Sequence, residues 1–243
     1  MNIKNCLKRL LFPGLDLTTR CRYRWLPPLF KAGPIETLDV GFGNGAFSLA
    51  AARKGNRVTA ISFDQGQVDK AKSFFGSDNE RINFLCLNAY KLRDLGRQFD
   101  QIICLETLEH IRDDRGMVRL FYDLLRPGGT LQLCCPNRLG LLPLVRQAQR
   151  RFRKAEGFEV RYWSLNDLRA LFEENFGVVS FEVDCFFGIG LQAADEKFMI
   201  PAMKCAVRVS ELLRRMSHTV PLITHFADSV YVRAKKGCQP PTQ

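Results

Sequence analysis

The sequence predicts an α/β fold in which one mostly parallel β-sheet carries helices on both faces. Strand and helix signals alternate from residue 37 onward, which is typical of parallel strands joined by helices. Residues 99–105 are nearly all apolar, as expected for a strand buried on both faces. A short apolar strand also runs into three alternating glycines, Gly41, Gly43 and Gly45, and such a turn between strand and helix indicates a ligand site.

The first half of the domain contains four predicted strands, and helix signals follow three of them. Asp64 is placed to cap the second helix, because an aspartate at this position accepts from free backbone N–H groups. The predicted strands are 37–40, 57–62, 82–87 and 99–105, and the predicted helices are 45–54, 65–75 and one that ends near residue 125.

The second half is interrupted by two insertions. Residues 126–129, Arg-Pro-Gly-Gly, are expected to stop the preceding helix and turn the chain. Ser164 and Asp167 form a variant of the capping box at the start of a helix that runs to residue 176. The remaining predictions are strands at 130–135, 178–185 and 228–234, a basic insertion at about 138–160, and a second insertion at 187–222 with an amphipathic helix over 196–216.

Length and composition favour a single cytoplasmic domain. A chain of 243 residues can bury one sizeable core, and we expect a basic arm at 1–34, a domain at 35–236 and a disordered tail at 237–243. No apolar run approaches the roughly 18 to 20 residues of a spanning helix, and the N-terminus lacks a signal-peptide core. The nine cysteines mostly lie in apolar runs without a C-x-x-C motif, which predicts buried free thiols in a reducing compartment.

The net charge of +11 is concentrated outside the predicted catalytic core. Residues 1–31 carry seven basic residues and one acidic residue, whereas residues 32–138 carry fourteen and thirteen. The excess lies in the arm and in the cluster from Arg146 to Lys154. Two interpretations remain open: a surface for an anionic partner such as an acidic lipid, an anionic substrate or nucleic acid, or a solvated helix face.

The spacing of the glycines indicates which class of ligand the turn binds. A dinucleotide fingerprint is G-x-G-x-x-G, whereas here the third glycine follows the second after two residues. This shorter G-x-G-x-G, preceded by Asp39, resembles the first motif of class I S-adenosylmethionine-dependent methyltransferases. The resemblance implies a Rossmann-like sheet of seven strands whose last strand is antiparallel. It also implies that the amino-acid end of the cofactor is lined by Asp39, Gly41, Phe42, Gly43 and Gly45.

The same resemblance assigns the remaining cofactor contacts. Ser62, followed by Phe63, stands where most family members carry an acid for the ribose hydroxyls, and serine offers only a weaker neutral hydrogen bond. Asn88 and Ala89 take the place of the family's Asp-Ala, with the Asn88 oxygen available to the adenine N–H. Two further residues complete the set, Leu105 near the cofactor and Arg22 over its carboxylate.

The segment from Phe99 to Ile111 resembles the fourth-strand motif of ubiquinone-type O-methyltransferases and their small-molecule relatives. In open α/β sheets ligands bind at the carboxyl ends of strands, so Glu106, Glu109 and His110 are the candidate catalytic residues. Histidine has a pKa suited to removing the proton of an alcohol acceptor near neutrality. His110 therefore serves as the base or orients the acceptor, or it only satisfies a backbone carbonyl.

Three functions follow from these patterns. We predict methyl transfer from S-adenosylmethionine to an oxygen of a small-molecule, sugar or lipid-linked acceptor, and a sugar hydroxyl is the preferred acceptor. The prediction allows a peripheral membrane contact, and we do not expect nucleic acid as a partner. Glu106, Glu109 and His110 follow i, i+3, i+4 spacing, so one helical turn would also let them chelate a metal in an RNA 2′-O-methyltransferase. A full site needs another ligand, and no metal is predicted. The third function is cofactor binding without catalysis, which the serine at position 62 supports.

Overall fold

The computed structural model describes residues 17–75, 80–153, 160–184 and 219–237, together with residues 205, 209, 212, 213, 215 and 216. The strands are β1 (Glu36–Val40), β2 (Arg57–Ser62), β3 (Ile82–Cys86), β4 (Phe99–Leu105), β5 (Leu125–Pro136), β6 (Val178–Asp184) and β7 (Ser229–Lys235). The helices are α1 (Leu17–Leu29), α2 (Ala46–Arg53), α3 (Gln65–Phe75), α4 (Asp114–Leu124), α5 (Leu141–Gln149), α6 (Leu165–Glu173) and α7 (Pro221–Thr224).

All seven strands form one sheet in the order β3-β2-β1-β4-β5-β7-β6. The pairs β1/β2, β1/β4, β2/β3 and β4/β5 are parallel. β7 runs the other way beside β5, because Gly128 N donates to Lys236 O at one end and Asn137 N donates to Asp228 O at the other. The predicted α/β class, with a mostly parallel sheet and an antiparallel last strand, is confirmed.

The register of the two central strands positions the site. Val40, the last residue of β1, pairs with Cys104, the penultimate residue of β4. Leu38 of β1 and Ile102 and Ile103 of β4 are completely buried. The turns that leave β1 and β4 therefore lie side by side at the carboxyl edge of the sheet.

Helix caps follow the predicted chemistry. Asp64 Oδ1 accepts from Gly66 N at 2.8 Å and begins α3. At α6 the Ser164 hydroxyl accepts from Asp167 N at 3.2 Å, and the Asp167 carboxylate accepts from Ser164 N at 3.0 Å. This reciprocal pair satisfies two N–H groups that a helix start leaves free, so the capping-box prediction is confirmed.

The structure departs from the prediction after α4. Residues 126–129 do not form a separate turn before the strand, because β5 already begins at Leu125. Phe99 pairs with Leu125 and Gln101 pairs with Thr130, so β5 contains extra residues and bulges at this point. Gly128, with φ of 74°, lies in this bulge and pairs with the end of β7. α6 also ends at Glu173, three residues before the predicted end.

The chain divides into two compact units, one of residues 27–135, 155–181 and 231–243, the other of 1–26, 136–154 and 182–230. The first contains the core around β1 and β4. In the second, Asn137 Nδ2 donates to His225 O at 2.9 Å and to Ala227 O at 2.7 Å, while Leu142 N donates to the Asp228 carboxylate. These bonds join the segment after β5 to the segment before β7.

Several expectations fall outside the described residues: most of the arm, the helix over 196–216 except its few described positions, and the tail beyond residue 237. Among the described cysteines, Cys21, Cys104, Cys134 and Cys135 are buried free thiols as predicted, but Cys86 at the end of β3 is exposed. Within the same ranges, no helix combines the length and the apolar character needed to cross a bilayer.

Candidate functional site

The turn after β1 is shaped by its three glycines. Gly41, Gly43 and Gly45 have φ of 73°, 58° and 77°, a left-handed conformation that only glycine adopts without strain. Gly41 N donates to Ile61 O at 2.9 Å, and Gly45 N donates to Phe42 O at 2.8 Å, so the turn is held at both ends. α2 begins directly after Gly45. The turn therefore lies at the carboxyl edge of the sheet, between β1 and α2.

The surroundings of each glycine differ. A methyl group on Gly41 would lie 2.2 Å from Thr107 Oγ1, and one on Gly45 would lie 2.6 Å from the Phe75 ring. A methyl group on Gly43 would meet no atom within 4 Å. Gly41 and Gly45 are thus required by packing, whereas the space at Gly43 is open for a ligand.

Asp39 lies beneath this turn with 3 % of its surface exposed. Its carboxylate accepts a short hydrogen bond of 2.5 Å from the Ser48 hydroxyl on α2. Burial raises the pKa of the Asp39 carboxyl from 3.8 to about 6, and the bond from Ser48 acts in the opposite direction. The folded chain therefore holds a carboxylate that is poorly solvated at neutral pH, and a cationic group nearby would stabilise it.

Ser62, Phe63 and Asp64 follow one another at the end of β2, and each has a different role. Ser62 is 4 % exposed, and its hydroxyl accepts from Asp64 N at 3.1 Å. Its hydrogen remains available for donation to a ligand. Phe63 is 74 % exposed, which leaves its ring accessible at the carboxyl end of β2. Asp64 is engaged in capping α3.

Asn88 and Ala89 follow β3, where a 3₁₀ turn runs from Ala89 to Leu95. Asn88 is exposed and caps this turn, since its Oδ1 accepts from Tyr90 N at 3.0 Å. A carbonyl oxygen has two lone pairs, so the cap still leaves one acceptor position.

The turn after β4 contains a strained residue. Glu106 has φ of 47°, which is unusual for a residue with a Cβ. Its backbone N donates to Cys134 O at 2.9 Å, and its carboxylate accepts from the Cys134 thiol at 3.2 Å. β5 thus holds Glu106 from both its backbone and its side chain. Leu105, the last residue of β4, is half-buried.

Thr107 connects the two central turns, a role that the sequence reasoning missed. Its hydroxyl lies 3.2 Å from Val40 O and 3.0 Å from Leu105 O. The same hydroxyl occupies the space beside Gly41. The sequence offers only a hydroxyl residue two positions after β4, and that signal does not specify this contact.

The helical spacing predicted for Glu106, Glu109 and His110 is wrong. The chain forms a short 3₁₀ turn over Leu108–His110, and Glu106 lies outside it with a left-handed backbone. Glu109 is 3 % exposed, whereas His110 is exposed. The three side chains therefore do not share one helix face. A three-residue 3₁₀ turn has three residues per turn rather than 3.6, so neighbouring side chains diverge.

Glu109 also affects the buried thiols below the turn. Burial, followed by the charges of Glu109 and Asp39, raises the pKa of the Cys104 thiol. Burial and the charges of neighbours that include Glu109 and Glu106 likewise raise the pKa of Cys135. Both thiols stay protonated at neutral pH and are unsuited as nucleophiles.

The described residues contain no group of three or more His, Cys, Asp or Glu side chains arranged to hold a metal ion. Arg22 lies on α1, and its assignment to the cofactor carboxylate stays a prediction.

Comparisons with known proteins agree with this geometry. Residues 38–133 match the family model described as a methyltransferase domain. The match covers 96 of the 243 residues. Together with the strand order, it supports a class I, S-adenosylmethionine-dependent methyltransferase domain and agrees with the resemblance seen in the glycine motif.

Among curated proteins, the chain is 36 % identical over 124 residues to the ubiquinone biosynthesis O-methyltransferase of Coxiella burnetii, covering 51 % of this chain and 53 % of that protein. It is 30 % identical over 128 residues to the same enzyme of Pseudomonas putida, with coverages of 52 % and 55 %. The chain thus spans about half the length of the curated relatives it matches. A solved S-adenosylmethionine-dependent methyltransferase from Archaeoglobus fulgidus has a TM-score of 0.61 at 17 % identity, over 97 % of this chain and 100 % of that one.

The glycine turn fits the cofactor of this class. The open space at Gly43 admits a ligand against the backbone, and the exposed Phe63 ring offers a flat apolar surface. The buried Asp39 carboxylate supplies negative charge near the turn, and the cofactor's α-amino group is cationic.

Proposed function

We propose that this protein transfers a methyl group from S-adenosylmethionine to a hydroxyl acceptor. The observation that carries the proposal is the left-handed glycine turn, open at Gly43, beside the turn that contains His110. When bound, S-adenosylmethionine supplies an electrophilic methyl group on a sulfonium. The residues proposed to hold it are Asp39, Gly41, Phe42, Gly43, Gly45, Ser62, Phe63, Asn88, Ala89, Leu105 and Arg22.

His110 is proposed as the group that accepts the acceptor's proton. It is exposed at the carboxyl end of β4, and its backbone is fixed because His110 N donates to Thr107 O at 3.1 Å. An alcohol loses its proton as the new bond to carbon forms, and a neutral imidazole takes up such a proton near pH 7. Glu109 is buried, so it is proposed to support the turn rather than to contact the acceptor.

The acceptor is proposed to be a small hydroxyl compound that is anionic or lipid-linked. The two curated relatives are named as O-methyltransferases of ubiquinone biosynthesis, which favours oxygen as the methylated atom. Residues 136–154 contain six basic residues and no acidic residue. Val145 and Phe152 in this segment are 50 % and 68 % exposed. Basic residues among exposed apolar side chains suit an acceptor with an anionic group and an apolar tail.

Calorimetric titration with S-adenosylmethionine tests the first step. Binding in the micromolar range is expected, and absence of binding at millimolar cofactor would contradict the proposal. Transfer of a labelled methyl group is then measured with a catechol-type polyprenyl compound, a glycan and an RNA oligonucleotide, each with and without EDTA. Binding without transfer to any acceptor would favour the non-catalytic alternative, and transfer to RNA that EDTA abolishes would favour the metal-dependent one.

A further inference from the structure

One side chain outside the predicted site holds the turn that contains Glu109 and His110. Arg161 lies just before α6, and its guanidinium donates to two backbone carbonyls, to Leu108 O at 3.3 Å and to Arg112 O at 3.0 Å. Its own backbone N donates to Glu109 O at 3.3 Å. Three carbonyls of residues 108–112 therefore accept from a single residue some fifty positions later in the chain.

The guanidinium is itself held in place. Its Nη1 lies 3.5 Å from the Asp114 carboxylate, and its plane lies over the Trp163 ring at 5.2 Å. Trp163 Nε1 donates to the same carboxylate at 3.3 Å. The Arg161 side chain is 27 % exposed, and Trp163 is 7 % exposed. A guanidinium that already contacts an aromatic ring and a carboxylate loses little conformational entropy when it binds carbonyls. The Arg161 guanidinium is therefore suited to fixing a backbone.

The turn needs such support because its internal bonding is weak. A 3₁₀ turn of three residues has poor hydrogen-bond geometry. Within this turn, His110 N donates to Thr107 O and Ile111 N donates to Leu108 O. The preceding residue pair includes the strained Glu106. Arg161 therefore adds three bonds from a distant segment to a backbone whose internal hydrogen-bond geometry is poor.

We infer that Arg161 is a positioning residue that fixes the backbone of residues 108–112 and thereby the direction of His110. The inference rests on the proposed function. Arg161 acts through the turn, because its guanidinium contacts carbonyls and a carboxylate within the protein. A displacement of about 1 Å at a reacting group can lower a rate by about 10²-fold. We therefore expect removal of the Arg161 guanidinium to lower turnover more than it lowers stability.

The test compares Arg161→Ala and Arg161→Lys with Arg169→Ala as the matched control. Arg169 also lies over an aromatic ring, that of Phe181 at 5.9 Å, and pairs with Glu173. These two contacts are to α6 and β6 rather than to residues 108–112. Amide hydrogen exchange at His110 and Ile111 is measured in the cofactor-free protein. We expect exchange about 10 to 100-fold faster in Arg161→Ala, an intermediate rate in Arg161→Lys, and no change in Arg169→Ala.

Kinetics and binding give the second readout. With the acceptor that the wild-type chain methylates, kcat of Arg161→Ala is expected to fall about 10 to 100-fold, while the cofactor Kd from calorimetry stays within about twofold. Millimolar guanidinium should restore part of the lost kcat in Arg161→Ala and none in Arg169→Ala. A purely structural role would not produce this rescue.

The outcomes separate the two proposals. Unchanged exchange at His110 and Ile111 would overturn the role of Arg161 even if the protein is an active methyltransferase. Faster exchange in a chain that shows no methyl transfer would support the positioning of the turn and contradict the proposed function instead. If Arg161→Ala does not fold, Trp163→Phe removes the bond to Asp114 and keeps the ring, and unchanged exchange in both Arg161→Lys and Trp163→Phe would overturn the inference.

Discussion

The turns after β1 and β4 lie side by side but obtain their shapes in different ways. The first, Gly41 to Gly45, places every left-handed residue on a glycine, so its conformation carries no Cβ strain. In the second turn, Glu106 has a left-handed backbone and a short 3₁₀ turn follows it. The side chains of Cys134 on β5 and of Arg161 before α6 hold this turn. One turn is thus encoded by its local sequence, whereas the other is held by tertiary contacts.

The largest expected effect lies in the second turn. His110→Ala should lower turnover by about 10² to 10⁴-fold, because the proposed proton acceptor is removed, while the cofactor Kd stays unchanged. Steady-state kinetics with a calorimetric Kd measure this. Arg112→Ala, an exposed side chain beyond the same turn, is the control and should retain turnover. A normal rate in His110→Ala would refute the assignment of the base.

In the first turn, Gly41→Ala should destabilise the chain by about 3 kcal/mol, since the new methyl group meets Thr107 Oγ1 and the backbone is left-handed. Gly96→Ala is the matched control, because Gly96 has φ of 62° and open space around it, so only strain of about 1 kcal/mol remains. Urea denaturation gives both values. Equal losses would show that Thr107 does not restrict Gly41, and the variant Thr107→Ala should recover part of the Gly41→Ala loss.

Asp39→Asn tests the charge beneath the first turn. The pKa of Asp39 is about 6 in the folded chain and 3.8 as its ordinary value, so the folded state binds more protons between these pH values. The free energy of unfolding of the cofactor-free wild type therefore falls as pH rises from about 4 to about 6. Asp39→Asn lacks this slope and should be about 2 kcal/mol more stable at pH 7, with weaker cofactor binding.

Urea denaturation at several pH values between 4 and 7 measures the Asp39 effect. The Ser48→Ala variant sharpens it, because losing the hydrogen bond should raise the Asp39 pKa further and steepen the dependence of stability on pH. Parallel curves for the wild type and Asp39→Asn would contradict the assigned cause.

The smallest expected effect concerns strain at Glu106. Glu106→Gly should be about 1 kcal/mol more stable than Glu106→Ala, because both lose the carboxylate but only glycine adopts the left-handed backbone freely. Thermal unfolding of the pair measures this difference. A more stable Glu106→Ala would show that the backbone at this position is not strained.

The strands and caps were predictable because their signals are local. Alternating apolar runs placed β1, β2 and β4 within one residue, and Asp64 and Ser164 cap helices as expected. The start of β5 was not predictable, since Pro127 and the glycines favour a turn, and pairing with β7 draws them into a bulge instead. The shared face expected for Glu106, Glu109 and His110 failed because the turn there is not α-helical.

The sequence by itself determined the α/β fold class of this protein. The spacing of Gly41, Gly43 and Gly45 after a strand ending in Asp39-Val40 resembles a cofactor motif, and glycine adopts the left-handed backbone of this turn without strain. Only the tertiary structure decided how the neighbouring turn is held. Thr107 against Gly41, Cys134 against Glu106 and Arg161 against residues 108–112 are contacts between segments far apart in the chain, and no local pattern specifies which side chain fills a neighbour's space.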